Sequence, residues 1–265
     1  MTQPALQVLF FDVFGTVVEW RTCVTNALHD AAQHALQDPD RHLPDDLRAK
    51  ASNMTPTDWL ALAEAWRRSY QHFTSTADTT SQPFISVDEH HHRALIHLLH
   101  THHLTDLFTA AETQDLSLSW HRLQPWPDAV RGLDLLNRKF RTCTLSNGNI
   151  ALLEGLQRYG ALPFTHILSA EHFGTYKPAP EVYHGAAERF GLRPGECAMV
   201  AAHLEDLKAA KACGMRTVYV ERPEEEEDLD IEQERREGYV DIWVAGGDGF
   251  VEVARRLGIA IEGDV

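Results

Sequence analysis

Phe10-Phe11-Asp12-Val13-Phe14-Gly15-Thr16 carries an apolar run, Leu6–Phe11, into a carboxylate, then a glycine and a hydroxyl. The run has the length and composition of a buried strand. Gly15 permits a tight turn directly after it, and the Thr16 hydroxyl follows within reach of the carboxylate. An Asp at the end of a buried strand is costly unless cations or donors meet it. On these residues alone, a chemically active carboxylate and a structural Asp capping a turn both remain open.

Short apolar runs recur at Thr142–Leu145, His166–Leu168, Cys197–Ala201 and Thr217–Val220, with Ile242–Val244 a sixth candidate. Amphipathic stretches lie between them, such as Ala151–Tyr159, Pro180–Phe190 and Asp206–Cys213. Strands alternating with helices predict an α/β fold with a mainly parallel sheet. One interval breaks the alternation. Between the first strand and Arg141 lie helix-like stretches, Thr57–Phe73 and Val87–His100, with apolar residues three and four apart. The Ser- and Thr-rich segment Thr74–Pro83 reads as a loop. A helical insertion that leaves after strand one and returns before strand two is the simplest account, with Pro125 and Pro127 stiffening the return.

Ligands of such sheets sit beyond the carboxyl ends of the strands, so polar residues directly after strands are where chemistry is sought. Three more such places follow Asp12 in order: Leu145-Ser146-Asn147-Gly148-Asn149, Tyr176-Lys177-Pro178 and Val200-Ala201-Ala202-His203-Leu204-Glu205-Asp206. Each alone has a plain structural reading: turn chemistry for Ser-Asn-Gly, a surface lysine before proline, and an Asp that only caps a helix.

Taken together and in this order, the four places resemble the haloacid dehalogenase superfamily. Its motifs are a strand-end Asp, a Ser or Thr, a Lys and a final acidic cluster. The resemblance runs from about Leu6 to Gly258 and implies a Rossmann-like α/β core with a parallel sheet plus an inserted helical cap domain. The expected division is 1–17 and 128–265 for the core and 18–127 for the cap.

Most members of that superfamily are magnesium-dependent phosphotransferases with a second Asp two residues after the nucleophile. Phe14 stands there in this chain and cannot transfer a proton. The metal-holding acids of the last motif are commonly four residues apart, but four residues before Asp206 the chain has Ala202. Losing a carboxylate weakens an octahedral magnesium site. An aromatic residue at the Phe14 position resembles instead the L-2-haloacid dehalogenases, as do Asp12–Thr16, Leu145–Gly148, Tyr176–Pro178 and Tyr183, seven residues after Tyr176. The segment Ala65-Trp66-Arg67 is similar to the cap stretch that bears a halide-receiving arginine.

The resemblance implies a metal- and cofactor-independent hydrolase that converts a short L-2-haloacid to the D-2-hydroxyacid. Asp12 would attack C2 and form an ester, and Lys177 would keep Asp12 ionised. Thr16, Ser146 and Asn147 would orient Asp12 and the substrate carboxylate. Arg67 would meet the departing halide. Water would then cleave the ester with help from Asp206 and His203. Phe14 and Tyr183 complete the implied substrate contacts, and a homodimer is the implied assembly. Arg21, directly after Trp20, reads either as a substrate-side charge that compensates the extra acid Glu205 or as a surface arginine at the cap hinge. Ala201, Ala202 and His203 depart from the family's usual serines and asparagine, and Glu205 stands where tryptophan is frequent. An extra acid at the pocket would disfavour an anionic substrate unless it points away.

Composition bounds the alternatives. A formal net charge of −15 speaks against nucleic acid, because phosphate binding needs a basic surface. No apolar run reaches the length of a membrane span. The N-terminus lacks a basic lead and a cleavage signal, and Cys23, Cys143, Cys197 and Cys213 form no CxxC pair. Reduced thiols in a cytoplasmic enzyme are expected. The acidic run Glu224 to Asp228 reads as a solvated loop or helix start. The histidines around His90-His91-His92, His97, His100, His102 and His103 show no chelate spacing and predict a polar, partly exposed helix. Trp59, Trp66, Trp120 and Trp126 read as packing. Two rival functions stay in view: a related hydrolase acting on another small acid such as azetidine-2-carboxylate, and a catalytically silent binding protein of the same fold.

Overall fold

The computed structural model describes residues 4–77, 79, 81, 83–226 and 229–261. Along the chain come β1 (Val8–Phe11), β2 (Val18–Glu19), α1 (Arg21–Gln37), α2 (Asp45–Asn53), α3 (Pro56–Thr76), α4 (Val87–Thr101), α5 (Ala110–Ser117), β3 (Gln124–Pro125) and α6 (Ala129–Leu136). There follow β4 (Arg141–Ser146), α7 (Ile150–Tyr159), β5 (His166–Ser169), α8 (Pro180–Arg189), β6 (Cys197–Ala201), α9 (Leu204–Ala212), β7 (Arg216–Val220), α10 (Ile231–Glu237), β8 (Ile242–Val244) and α11 (Gly249–Arg256). These group into two compact units, Met1–Glu19 with Gln124–Val265, and Trp20–Leu123.

In the first unit, six strands form one parallel sheet in the order β5-β4-β1-β6-β7-β8. β1 is the first strand in the chain yet lies near the middle of the sheet. Phe11 sits opposite Thr144 of β4 on one side and Val200 of β6 on the other. Val8, Leu9, Phe10 and Phe11 are all fully buried, which is why this strand reads as an unbroken apolar run rather than an alternation. The chain adds β4 and β5 on one side of β1, then crosses to add β6, β7 and β8 on the other. That reversal of strand order makes a crevice at the carboxyl ends of β1, β4 and β6. Helices α6 and α11 pack closely: a Cβ on Gly132 would stand 2.3 Å from Phe250 Cβ.

A small antiparallel ribbon, β2 with β3, pairs Val18 with Pro125 and Glu19 with Gln124. It ties the segment leaving the sheet unit to the segment returning. Arg222 braces the same place. Its guanidinium holds Asp128 through two hydrogen bonds of 2.6 and 2.9 Å, while Nε donates to the Thr16 carbonyl at 3.0 Å.

The second unit is helical. α3 begins with a reciprocal capping box between Thr55 and Asp58, with Pro56 at its first turn. Trp59, Trp66 and Trp120 are fully buried and supply the bulk of its core. The histidine-bearing helix α4 is partly exposed, with His97 and His100 on its outer side, but His91 lies on its buried side. Val87, His91, Ala94, Leu95 and Leu99 form a buried stripe, and His91 stacks on Trp120 with ring centroids 4.4 Å apart. The helical period places His91 among apolar residues, while its neighbours His90 and His92 are only half-buried. Among the described residues no group of three or more His, Cys, Asp or Glu side chains gathers as a metal site. Among them too, no helix is long and apolar enough to cross a membrane. Within the Ser- and Thr-rich segment 74–83, residues 78, 80 and 82 lie outside the described residues.

Candidate active site

β1 ends at Phe11, and the next residue presents its carboxylate to three donors. Lys177 Nζ donates to Asp12 Oδ1 at 2.8 Å. Thr16 Oγ1 donates to Oδ2 at 2.9 Å, and His203 Nδ1 lies 3.0 Å from the same oxygen. Asp12 is 8% exposed. Burial alone would raise its pKa, but the charges and hydrogen bonds of Lys177 and His203 outweigh that and hold it far below the usual carboxylate range. Asp12 is therefore a buried carboxylate held in its ionised form at neutral pH.

Each donor is delivered by a different piece of the fold. The turn after β1 places Thr16 four residues on, and its hydroxyl also accepts from the Ala202 backbone N–H at 2.9 Å, which ties β1 to the end of β6. Lys177 comes from the loop before α8. Its backbone is clamped by Asn147: Lys177 N–H donates to Asn147 Oδ1 at 2.6 Å, and Asn147 Nδ2 donates to the Lys177 carbonyl at 3.2 Å. Ser146, at the end of β4, accepts from the Gly148 N–H at 3.2 Å and so shapes the turn that presents Asn147.

Lys177 Nζ also donates to Asp206 Oδ2 at 2.5 Å, and the Tyr183 hydroxyl donates to Asp206 Oδ1 at 2.7 Å. Burial would lower the lysine's pKa, but Asp12 and Asp206 together push it up, so the ammonium stays charged. Burial raises Asp206, Lys177 opposes that, and Asp12 adds to the rise. Burial and the neighbouring Asp206 also raise the Tyr183 phenol, which remains a donor.

His203 bridges two acids. Its Nε2 lies 2.9 Å from Glu225 Oε2, whose side chain is only 7% exposed. Burial would lower the imidazole, yet Asp12 and Glu225 outweigh it and push His203 up to about 10. Both ring nitrogens therefore carry protons at neutral pH, each donated to a carboxylate. Glu226 Oε1 accepts from the Leu204 N–H at 2.7 Å at the start of α9. Glu205, by contrast, is exposed, and its charge helps to raise the Glu226 carboxyl.

The acidic run thus departs from the expected solvated loop. Glu225 and Glu226 are drawn in against His203 and α9, while residues 227 and 228 lie outside the described residues. The only signal for Glu225 was its place just beyond the carboxyl end of β7, where such sheets put their chemistry. The structure thus gathers Asp12, Thr16, Lys177, Asp206, Tyr183 and His203 into one network, braced by Asn147 and Ser146. Phe14 is buried in the same turn as Asp12.

Arg21 and Arg67 belong to the helical unit. Arg21 forms an ion pair with Glu64 and lies over the Trp20 ring at 4.7 Å. Arg67 is 6% exposed, with its guanidinium 4.9 Å from the Tyr70 ring centre and 5.6 Å from that of Trp20.

Comparison with known proteins gives this geometry a context. Residues 6–214 match the family model of haloacid dehalogenase-like hydrolases. A relative from Pseudomonas sp. (strain CBS-3), (S)-2-haloacid dehalogenase 1, is 37% identical over 107 residues, 39% of this chain and 47% of that one. This match therefore spans about half of that relative's length. (S)-2-haloacid dehalogenase 4A of Burkholderia cepacia is 26% identical over 221 residues, covering 82% of this chain and 84% of the other. The crystal structure of a defluorinating L-2-haloacid dehalogenase superposes with a TM-score of 0.76 at 30% identity, covering 95% of each chain.

Proposed function

The chain belongs to the haloacid dehalogenase-like hydrolases and within them to the L-2-haloacid dehalogenase family, and from that premise we propose that it hydrolyses the carbon–halogen bond of a short L-2-haloacid. The observation that carries the reading is Asp12: a buried carboxylate kept ionised by Lys177, Thr16 and His203 at the strand-order reversal of the sheet.

An alkyl halide needs a nucleophile aimed along the back of the carbon–halogen bond and no acid for the departing halide. Asp12 supplies the nucleophile. Phe14, two residues on, has no proton to give, which suits halide and not an alkoxide or phosphate leaving group. The attack forms an aspartyl ester, breaks the carbon–halogen bond and inverts C2, so an L-substrate gives the D-2-hydroxyacid. Lys177 and Thr16 fix the nucleophile's oxygens, while Asn147 fixes Lys177. The resemblance assigns the departing halide to Arg67 and substrate contacts to Phe14 and Tyr183, and Arg21 is the further cation offered to the substrate carboxylate. Water then attacks the ester carbonyl and restores Asp12, with Asp206 and His203 the residues available to assist. No step requires a metal or cofactor. The reading also expects a small carboxylate as the substrate, a cytoplasmic enzyme and a homodimer.

The test is halide release from L- and D-2-chloropropionate, with and without EDTA, beside hydrolysis of p-nitrophenyl phosphate. Release from the L-enantiomer alone, unaffected by EDTA and lost in Asp12→Ala, is the expected result. Magnesium-dependent phosphate release without halide release would overturn it.

A further inference from the structure

Two acids and one imidazole next to Asp12 leave open which group activates the water of the second half-reaction. We propose that His203 is that base and that Glu225 is its positioning residue, forming a water-activating pair that the acidic loop after β7 brings to the nucleophile. The proposal rests on the dehalogenase reading and deepens it.

Asp206 is poorly placed for the task. Both its oxygens are engaged, Oδ2 by Lys177 and Oδ1 by Tyr183, and its link to Asp12 runs through the lysine. His203 instead touches Asp12 directly at 3.0 Å, and its side chain is 20% exposed, within reach of solvent. Its far nitrogen is fixed by Glu225 at 2.9 Å. An imidazole held at one nitrogen by a carboxylate and facing the reacting atom with the other is the arrangement that orients a base.

The loop is built to deliver Glu225. Gly15, at φ +78°, has no side chain, and a Cβ there would stand 2.4 Å from Glu225 Oε2. The glycine in the nucleophile's own turn is therefore what makes room for the carboxylate. Glu226 anchors the same loop by accepting from Leu204 N–H.

The charges around His203 explain how one residue serves both half-reactions. It faces Asp12 from β1, with Lys177 beyond, and Glu225 and Glu226 from the loop after β7; Asp206 and exposed Glu205 lie on its own helix. In the free enzyme two carboxylates keep it protonated, and it serves as a donor that steadies the nucleophile. Esterification removes the charge of Asp12 and with it one of the two carboxylates that hold that proton. The imidazolium then loses one proton to solvent. Neutral His203 takes a proton from water as the water oxygen bonds to Asp12 Cγ. The tetrahedral intermediate breaks its Cγ–O bond to the former C2 oxygen, and the intermediate's remaining hydroxyl proton passes to the departing alkoxide. Asp12 returns as a carboxylate beside an imidazolium, as it began.

The experiment is rapid-quench turnover of excess L-2-chloropropionate, with halide, hydroxyacid and the mass of the chain followed together. Glu225→Gln and His203→Gln are expected to release about one halide per chain and then stall with the acyl group on Asp12. Steady turnover should fall about 100-fold, with Glu225→Asp recovering part of it. In the wild type, whether or not those variants fold, decay of the ester should rise with pH through a single titration. A burst and a steady rate that fall together in Glu225→Gln, an unchanged turnover, or a pH-independent ester decay would overturn the pair and leave the dehalogenase reading standing. A wild type that releases no halide would overturn both.

Discussion

Asn147 and Lys177 hold each other through a reciprocal pair, the lysine N–H donating to Oδ1 at 2.6 Å and the amide Nδ2 donating to the lysine carbonyl at 3.2 Å. The residue that aims the ammonium at Asp12 thus acts on the lysine's backbone. Asn147→Ala would leave a buried N–H and C=O without partners, at about 1–3 kcal/mol for each group. We expect a loss of about 2–4 kcal/mol in denaturant unfolding and a fall in halide release of at least about tenfold. Asn147→Asp should recover part of both, since it can still accept from Lys177 N–H but cannot donate to the carbonyl.

Gly15→Ala tests the space made for Glu225. The left-handed backbone at φ +78° costs a non-glycine residue about 1 kcal/mol, and the new methyl must displace the Glu225 carboxylate. The fold should survive, because that carboxylate is the end of a flexible side chain. Single-turnover assays should show halide release preserved more than ester hydrolysis. Equal loss of both would mean that the glycine serves the nucleophile's turn and not Glu225.

Strand positions were legible because β1, β4, β6 and β7 are buried on both faces and appear as short apolar runs ending in polar residues. Asp12 and Asp206 could be named for the same reason, one just past β1 and the other in the first turn of α9. Lys177, whereas, lies in the loop before α8, eight residues beyond the end of β5, and was named through the resemblance. The β2–β3 ribbon was not legible, because two-residue strands carry no period. Glu225 was hidden by its neighbours. In a run of like charges nothing local tells the one that turns inward, and its role depends on a glycine some two hundred residues away. Glu205 shows the converse: beside Asp206 in sequence, it lies about 100° around the helix and faces solvent.

Removing the charge of Arg222 should loosen the junction between the sheet unit and its connecting segments. Its bidentate pair with Asp128 is buried, with side chains 5% and 9% exposed. Arg222→Met leaves Asp128 uncompensated and should cost about 3–5 kcal/mol, measured by denaturant unfolding. Combining it with Asp128→Leu should restore much of the loss. An additive double variant would contradict the pairing as the source.

The site gives stability a pH signature. Asp12 is depressed in the folded protein, so its contribution is present above the ordinary value of 3.8 and is lost as pH falls toward the folded value. His203 is raised to about 10, so its contribution is full below 6.5 and is lost as pH rises through about 10. Thermal melts should therefore decline between about pH 7 and 10 in the wild type, and His203→Gln should flatten that decline. An unchanged alkaline decline in the variant would show that other groups govern it.

The most direct test of the central claim is a single turnover of L-2-chloropropionate, with enzyme in excess, in water enriched in oxygen-18. If Asp12 is the nucleophile, the oxygen of the new hydroxyl comes from its carboxylate. The hydroxyacid is then unlabelled and the peptide containing Asp12 gains the heavy oxygen. Label in the hydroxyacid with none in Asp12 would mean that water attacks carbon directly, and would contradict the account.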